Sequence, residues 1–224
     1  RAVLETLLEF ARRELPTGGL SLSLTTKSNL VLKDVDLLRE LARCARLRVN
    51  LSLTTLNPRL ARVLEPRAPR PELRLEAVRA LNEEGVPAGV FACPVLPGIT
   101  DRREGLEALV AAAKSAGARY LCAEAVFLMP SSQKKFFPFL ERKFPRLVKQ
   151  YRKWYTRNGY APEAYRRQIA ALVGQLRLKH GLPGAWPDLP TDGQDDDRPP
   201  RYDQLAALGP GTVSRPQMAL PFAC

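Results

Sequence analysis

The sequence predicts an α/β fold resting on a parallel sheet, and three observations predict it. Through residues 1–130, short apolar runs alternate with helix-period segments at a repeat of about 30 residues, the spacing of right-handed βαβ units. Hydrophobic residues make up 45% of the 224 and charged residues 26%, which allows a sizeable core. No apolar run reaches the ~18 residues of a membrane span, so these segments are left to pack against one another.

The elements follow in order. Leu4, Leu7, Leu8 and Ala11 share one face of a first helix, ended by Pro16-Thr17-Gly18-Gly19. Leu20 to Thr25 alternates as a strand. Asp34 is expected to cap a helix reaching Arg46, with Leu37, Leu38 and Leu41 inward, before a second strand from Leu47 to Leu53. Pro71-Glu72 opens a helix over Leu73 to Glu84 that Gly85 ends, and Val86 to Cys93 is the third strand. Asp101 is expected to cap a helix running to Ser115, and Gly117 closes it. Tyr120 to Phe127 is the fourth strand. A four-stranded parallel sheet that opens on a helix is expected to belong to a larger barrel or doubly wound sheet, and the chain reads as a fragment of it.

Charge divides the rest. Residues 1–130 carry 19 Lys and Arg against 15 Asp and Glu, whereas 131–180 carry 13 against 2, a net of +11. That concentration points to a polyanionic partner. The segment is also interleaved with aromatics, nine of the chain's 16, a composition suited to packing and to base stacking. Pro138, Pro145 and Pro162 are expected to punctuate it into helices, with Phe137, Phe144 and Trp154 packing inward. Lys134, Lys135, Arg142, Lys143, Lys149, Arg152, Lys153, Arg166 and Arg167 are the candidate phosphate contacts, DNA being the expected polyanion. The plainer alternative is a solvated basic face. Residues 185–224 hold seven prolines and an Asp run, and are expected to be a disordered tail. The expected division is therefore 1–130, 131–184 and 185–224.

Several chemistries are excluded. Cysteines stand at 44, 93, 122 and 224 without a Cys-x-x-Cys pair, which argues against a disulfide scaffold or a self-contained metal site. Reduced thiols and a first pentapeptide without an apolar h-region suggest a cytoplasmic protein, with no membrane partner expected. There is no Gly-x-Gly-x-x-Gly, Walker loop or nucleophile elbow, and the lone histidine, His180, lies outside the sheet region. In parallel α/β folds the site gathers at the carboxyl ends of the strands. There the sequence places Thr25-Thr26-Lys27-Ser28-Asn29, Ser52 and Thr54, and Pro94 to Thr100. Each has a dull alternative: Lys27 as a loop lysine, Ser52 and Thr54 as hydroxyls bonded only to backbone, Pro94-x-x-Pro97-Gly98 as a rigid turn.

Taken together, TTKSNLVLKDVDLLREL, VNLSLTTLNPRLARVLEPRAPRPELRLEAVRALNEEGVPAGV and PVLPGITD resemble the radical S-adenosylmethionine proteins of the spore photoproduct lyase-like group. LEPRAPRPELRLEAV is the most specific string, and SSQKKFFPFLERKFPRL is similar to the group's C-terminal extension. The resemblance implies a partial (β/α)6 barrel, of which this chain would hold strands three to six, plus a helical appendage. It implies S-adenosylmethionine and a [4Fe-4S] cluster as cofactors, with reductive cleavage to a 5′-deoxyadenosyl radical that takes a hydrogen from the substrate, as in a DNA-repair lyase. The cluster's Cys-x-x-x-Cys-x-x-Cys is missing here, so its ligands are expected outside this chain, and the chain alone is expected to be inactive. By position, Lys27 would pair with the methionyl carboxylate, Ser52 and Thr54 would bond the ribose or carboxylate, and Pro94, Pro97 and Gly98 would wall the adenosine. Cys93 is read as a structural thiol. Two other readings compete: a non-catalytic nucleic-acid-binding protein on a barrel scaffold, and an aldolase-like barrel with Lys27 as Schiff-base lysine. The latter lacks the apolar pocket that would activate the amine.

Overall fold

Four parallel strands lie side by side in sequence order: β1 (Ser21–Thr26), β2 (Arg46–Ser52), β3 (Ala88–Val95) and β4 (Leu121–Ala125). The computed structural model describes residues 1–14 and 20–183. The sequence expectations for the Pro16–Gly19 turn, for residues 185–224 and for Cys224 lie outside the described residues.

Helices fill the crossovers. α1 (Ala2–Glu14) precedes the sheet, and α2 (Val35–Cys44) joins β1 to β2 after a 3-10 turn over Asn29–Asp34. α3 (Pro58–Leu64) and α4 (Pro71–Glu83) join β2 to β3, and α5 (Arg103–Ser115) joins β3 to β4. Beyond β4 come α6 (Pro130–Lys143), α7 (Val148–Tyr155) and α8 (Glu163–His180).

One sheet face is apolar and buried under helices. Val49 and Leu51 of β2, Val90 and Ala92 of β3 and Leu121 of β4 pack against Leu38 and Leu41 of α2, Val78 and Leu81 of α4, and Leu109 and Val110 of α5. α8 returns to this layer, laying Ile169, Val173 and Leu176 on it beside α5 and β4. A second apolar cluster sits past the carboxyl ends of β3 and β4, where Leu96, Val126 and Leu128 meet Leu140, Tyr151, Tyr155 and Ala161. Phe137, Phe144 and Trp154 pack against that cluster, as expected. The basic segment is therefore built onto the end of the sheet.

Three local expectations need correction. Pro138 lies inside α6, whereas Pro145 opens a 3-10 turn and Pro162 sits at the N-cap of α8. Asp101 does not cap α5; Arg102 occupies that position, and the Asp101 carboxylate turns back to accept the Gly98 N–H at 2.9 Å. Asp34 stands at the N-cap of α2 without a side-chain capping bond, its carboxylate taken instead by Arg1 at 3.2 Å. Among the described helices, none is long and apolar enough to cross a membrane.

Candidate functional site

The face of the sheet turned away from the helices is polar, and strand register lines its side chains into rows. Thr25 pairs with Asn50, Asn50 with Gly89, and one residue before the Val90–Leu121 pair stands Tyr120. Asn50 is fully buried, its amide donating to Ser23 Oγ and Thr25 Oγ1 at 3.0 Å each and to the Leu24 carbonyl at 3.3 Å. Its carbonyl oxygen accepts the Tyr120 hydroxyl. Gly89 makes this possible: a Cβ there would stand 2.5 Å from the Tyr120 ring. The row is a hydrogen-bonded floor spanning all four strands.

Above the floor, at the carboxyl ends of β1 and β2, charged groups converge. Lys27 Nζ lies 3.0 Å from Glu65 Oε1, and the other oxygen of that carboxylate lies 2.6 Å from Arg74 Nη1. Arg74 is 1% exposed. Its guanidinium also donates to the Ser52 carbonyl and to the Pro69 carbonyl, both at 2.9 Å. Two cations thus share one carboxylate, leaving a net positive charge at the rim, with Lys27 as its half-exposed member. The hydroxyls of Thr26 and Ser28 are spent on the turn, accepting the N–H groups of Ser28 and Leu30. The sequence reading found Lys27 and Ser52 but missed Glu65 and Arg74. A signal existed, because Arg74 sits on the inward stripe of α4 with Pro71, Ala77, Val78 and Leu81, where only a fully bonded cation can be buried.

Thr54, two residues past β2, is buried, yet its Oγ1 has no hydrogen-bond partner among the described residues. It lines a pocket of about 340 Å³ between the loop after β2 and the start of α5, shared with Thr55, Ile99, Thr100 and Arg102. A buried hydroxyl without a partner costs free energy unless something else satisfies it. Thr54 is therefore disposed to meet a bound ligand.

The loop after β3 is held from two sides. Thr100 Oγ1 accepts the Leu96 N–H at 2.8 Å, while Tyr151 of α7 donates to the Pro97 carbonyl at 3.0 Å and Tyr165 of α8 to Asp101 at 2.9 Å. Gly98, at φ +73°, sits under Leu147, whose Cδ2 would lie 2.9 Å from an added Cβ. Burial raises the hydroxyl pKa of both tyrosines, and neighbouring Tyr155, Tyr165 and Asp101 raise it further. Both therefore stay protonated as donors. Cys93 precedes this loop through a cis bond to Pro94, and burial pushes its thiol up to about 12, with the Glu124 carboxylate adding to the shift.

On the extension, Lys134, Lys135, Arg142, Lys143, Lys149 and Lys153 are exposed and make no ion pair among the described residues. The other three candidates are engaged. Arg152 lies 2.8 Å from Glu141 and over the Phe137 ring, Arg167 lies 3.2 Å from Glu163, and Arg166 rests on the Tyr160 ring.

With this geometry in view, residues 2–110 match the Radical SAM superfamily model. Among curated proteins, the chain is 33% identical over 196 residues to the uncharacterized protein Rv2578c of Mycobacterium tuberculosis, covering 88% of this chain and 54% of that protein. It is 29% identical over 124 residues to the uncharacterized protein MJ0683 of Methanocaldococcus jannaschii, covering 55% and 44%. The chain thus spans about half the length of the curated relatives it matches. Among solved structures, a spore photoproduct lyase mutant matches at a TM-score of 0.59 and 16% identity, covering 83% of this chain and 55% of that one. Spore photoproduct lyase complexed with dinucleoside spore photoproduct matches at 0.57 and 14%, covering 80% and 53%. These likenesses are of fold, and the partial parallel barrel expected from sequence is the architecture found.

The cofactors of the superfamily are S-adenosylmethionine and a [4Fe-4S] cluster. The cluster does not fit this chain's own residues. Cys44, Cys93 and Cys122 do not converge, and no group of three or more metal-ligating side chains occurs among the described residues. Its ligands lie outside this chain. S-adenosylmethionine fits better, because an unpartnered buried hydroxyl, Thr54, and a cationic rim both stand past the carboxyl ends of the strands.

Proposed function

We propose that this chain is the cofactor-binding and nucleic-acid-binding part of a radical S-adenosylmethionine enzyme of the lyase type, acting on DNA. Residues 1–130 hold the cofactor and residues 131–184 hold the polyanion. The observation that carries the reading is the buried, unpartnered Thr54 hydroxyl just past β2, at the same carboxyl end of the sheet as the Lys27–Glu65–Arg74 rim. Bound S-adenosylmethionine supplies hydrogen-abstracting radical chemistry on reductive cleavage.

The chain's own residues bind and orient. Lys27 offers a compact cation with three donors to the methionyl carboxylate, and Glu65 keeps that cation in place between ligands. Ser52 and Thr54 offer hydroxyls to the ribose or carboxylate. The loop from Pro94 to Gly98 walls the adenosine, and Tyr151 and Tyr165 hold that wall still. The likeness to a lyase structure holding dinucleoside spore photoproduct and the unpaired cations of the extension both support DNA as the partner.

The test is an anaerobic titration of the full-length protein with S-adenosylmethionine. Lys27→Ala should weaken binding about tenfold, a magnitude set by one charge-assisted hydrogen bond, while the visible spectrum of the cluster stays unchanged. Undiminished affinity in that variant would sink the assignment of Lys27. The absence of a non-catalytic role is tested by the same protein: a nucleic-acid-binding scaffold would bind DNA and show no affinity for the cofactor.

A further inference from the structure

The turn between α7 and α8 builds a second feature that the cofactor site does not use. Gly159, at φ +75°, packs against the backbone of Leu128, where an added Cβ would lie 2.6 Å from the carbonyl oxygen. Leu128 in turn donates its N–H to the Gly159 carbonyl at 2.8 Å. This contact fixes Tyr160 against Phe127, with ring centroids 4.3 Å apart and a β-bridge between the two residues. Arg166 lies on Tyr160 with its Cζ 5.3 Å from the ring centroid, and its Nε donates to the Ala161 carbonyl at 3.2 Å. The result is a cluster in which Tyr160 contacts both the Phe127 ring and the Arg166 guanidinium, rooted two residues beyond β4 at the carboxyl edge of the sheet.

Beside the cluster lies a groove of about 520 Å³, walled by Lys153, Trp154, Asn158, Tyr160, Glu163 and Arg166. Lys153 is exposed and unpaired among the described residues, and the Glu163 carboxylate is drawn to Arg167 at 3.2 Å. The groove therefore presents positive charge along with a guanidinium held by the Ala161 carbonyl and a half-buried tryptophan. Guanidinium planes and aromatic rings are surfaces on which unstacked bases lie, and cations at their margin take the phosphate.

We propose that this groove holds one nucleotide of a single-stranded stretch, its base stacked on Arg166 and its phosphate on Lys153. The inference rests on the polyanion-binding reading above and names a subsite within it. A groove of about 520 Å³ has room for a single nucleotide and not for a duplex, so duplex DNA binds here only where a nucleotide has left the helix.

Trp154 reports on occupancy. In the full chain carrying Trp186→Phe, Trp154 is the remaining tryptophan of the two. Its fluorescence is followed during titration with single-stranded oligothymidylate and with an abasic oligomer of equal length. Oligothymidylate should quench Trp154 and bind about tenfold more tightly than the abasic strand. Arg166→Gln should erase that difference, and Arg166→Lys, which keeps the charge but not the plane, should not restore it. Lys153→Gln, on the exposed face of α7, should weaken both oligomers equally and serves if the Arg166 variants fail to fold. Equal affinity for thymidylate and abasic strands overturns the groove while leaving the polyanion reading standing. No binding of either oligomer at low salt overturns both.

Discussion

Arg74 is buried to the point where every donor must count, and what it touches explains why it is there. It joins the end of β2 to the loop before α4 and, through Glu65, to the lysine after β1. Arg74→Met would leave one oxygen of the Glu65 carboxylate and the Ser52 and Pro69 carbonyls without that donor, with Lys27 still on the other oxygen. Breaking a buried pair from one side costs about 3–5 kcal/mol, so urea unfolding of that variant should show a loss of unfolding free energy of this order. A loss below about 1 kcal/mol would mean that solvent replaces the guanidinium freely. Cys93 gives a second test at the same scale. Its folded pKa of about 12 exceeds the ordinary 9.0, so the native state keeps its proton where the unfolded chain loses it. Stability from this group is therefore intact below pH 9 and falls as pH rises toward 12. At pH 8, iodoacetamide should label Cys93 far more slowly in the native protein than in urea, as judged by mass spectrometry; equal rates would contradict the burial.

At the level of elements, the four strands and the helices between them were legible because their periodicities are long enough to show. α3 was not. Its seven residues hold too few apolar positions for a period, although Asn57 caps it through the Arg59 and Leu60 N–H groups and Pro58 opens it. Asp101 misled because aspartate before a helix usually caps it, and here a tyrosine and a turn N–H compete for the same carboxylate. Lys27, Ser52 and Thr54 were legible as candidates from their place at the carboxyl ends of strands. Glu65 was not, and Arg74 showed only as a cation on the inward stripe of α4, because packing alone brings Glu65 between Arg74 and Lys27. Pro138 misled for a different reason: α6 continues through it because the flanking Leu140 and Phe137 are anchored in the second apolar cluster. That tolerance comes at the cost of one helical hydrogen bond, to the carbonyl of Lys134. Since Pro138 is exposed, Pro138→Ala should stabilise the protein by up to about 3 kcal/mol. A higher Tm in calorimetry is the expected outcome, and a lower one would show that the proline ring packs.

For the molecule as a whole, the decisive fact is where its charge resides. A net of +11 falls on residues 131–180, and six of the nine singled-out cations there are exposed without ion-pair partners among the described residues. DNA affinity should fall steeply between about 50 and 200 mM salt if several of them contact phosphate together. Reversing Lys134, Lys135, Arg142 and Lys143 to Glu should abolish binding with the circular dichroism unchanged. A shallow salt slope, or binding indifferent to those four changes, would reduce the face to solvated surface. The same extension sends Tyr151, Tyr165 and Leu147 back to the loop after β3. Transplanting a relative's extension onto this sheet would therefore disturb more than DNA affinity. A chimera joined after β4 needs hydroxyls in register with Pro97 and Asp101 and a leucine over Gly98. A graft lacking them would arrive with its basic face intact and the loop after β3 slack, so sheet and extension are heritable only as a matched pair.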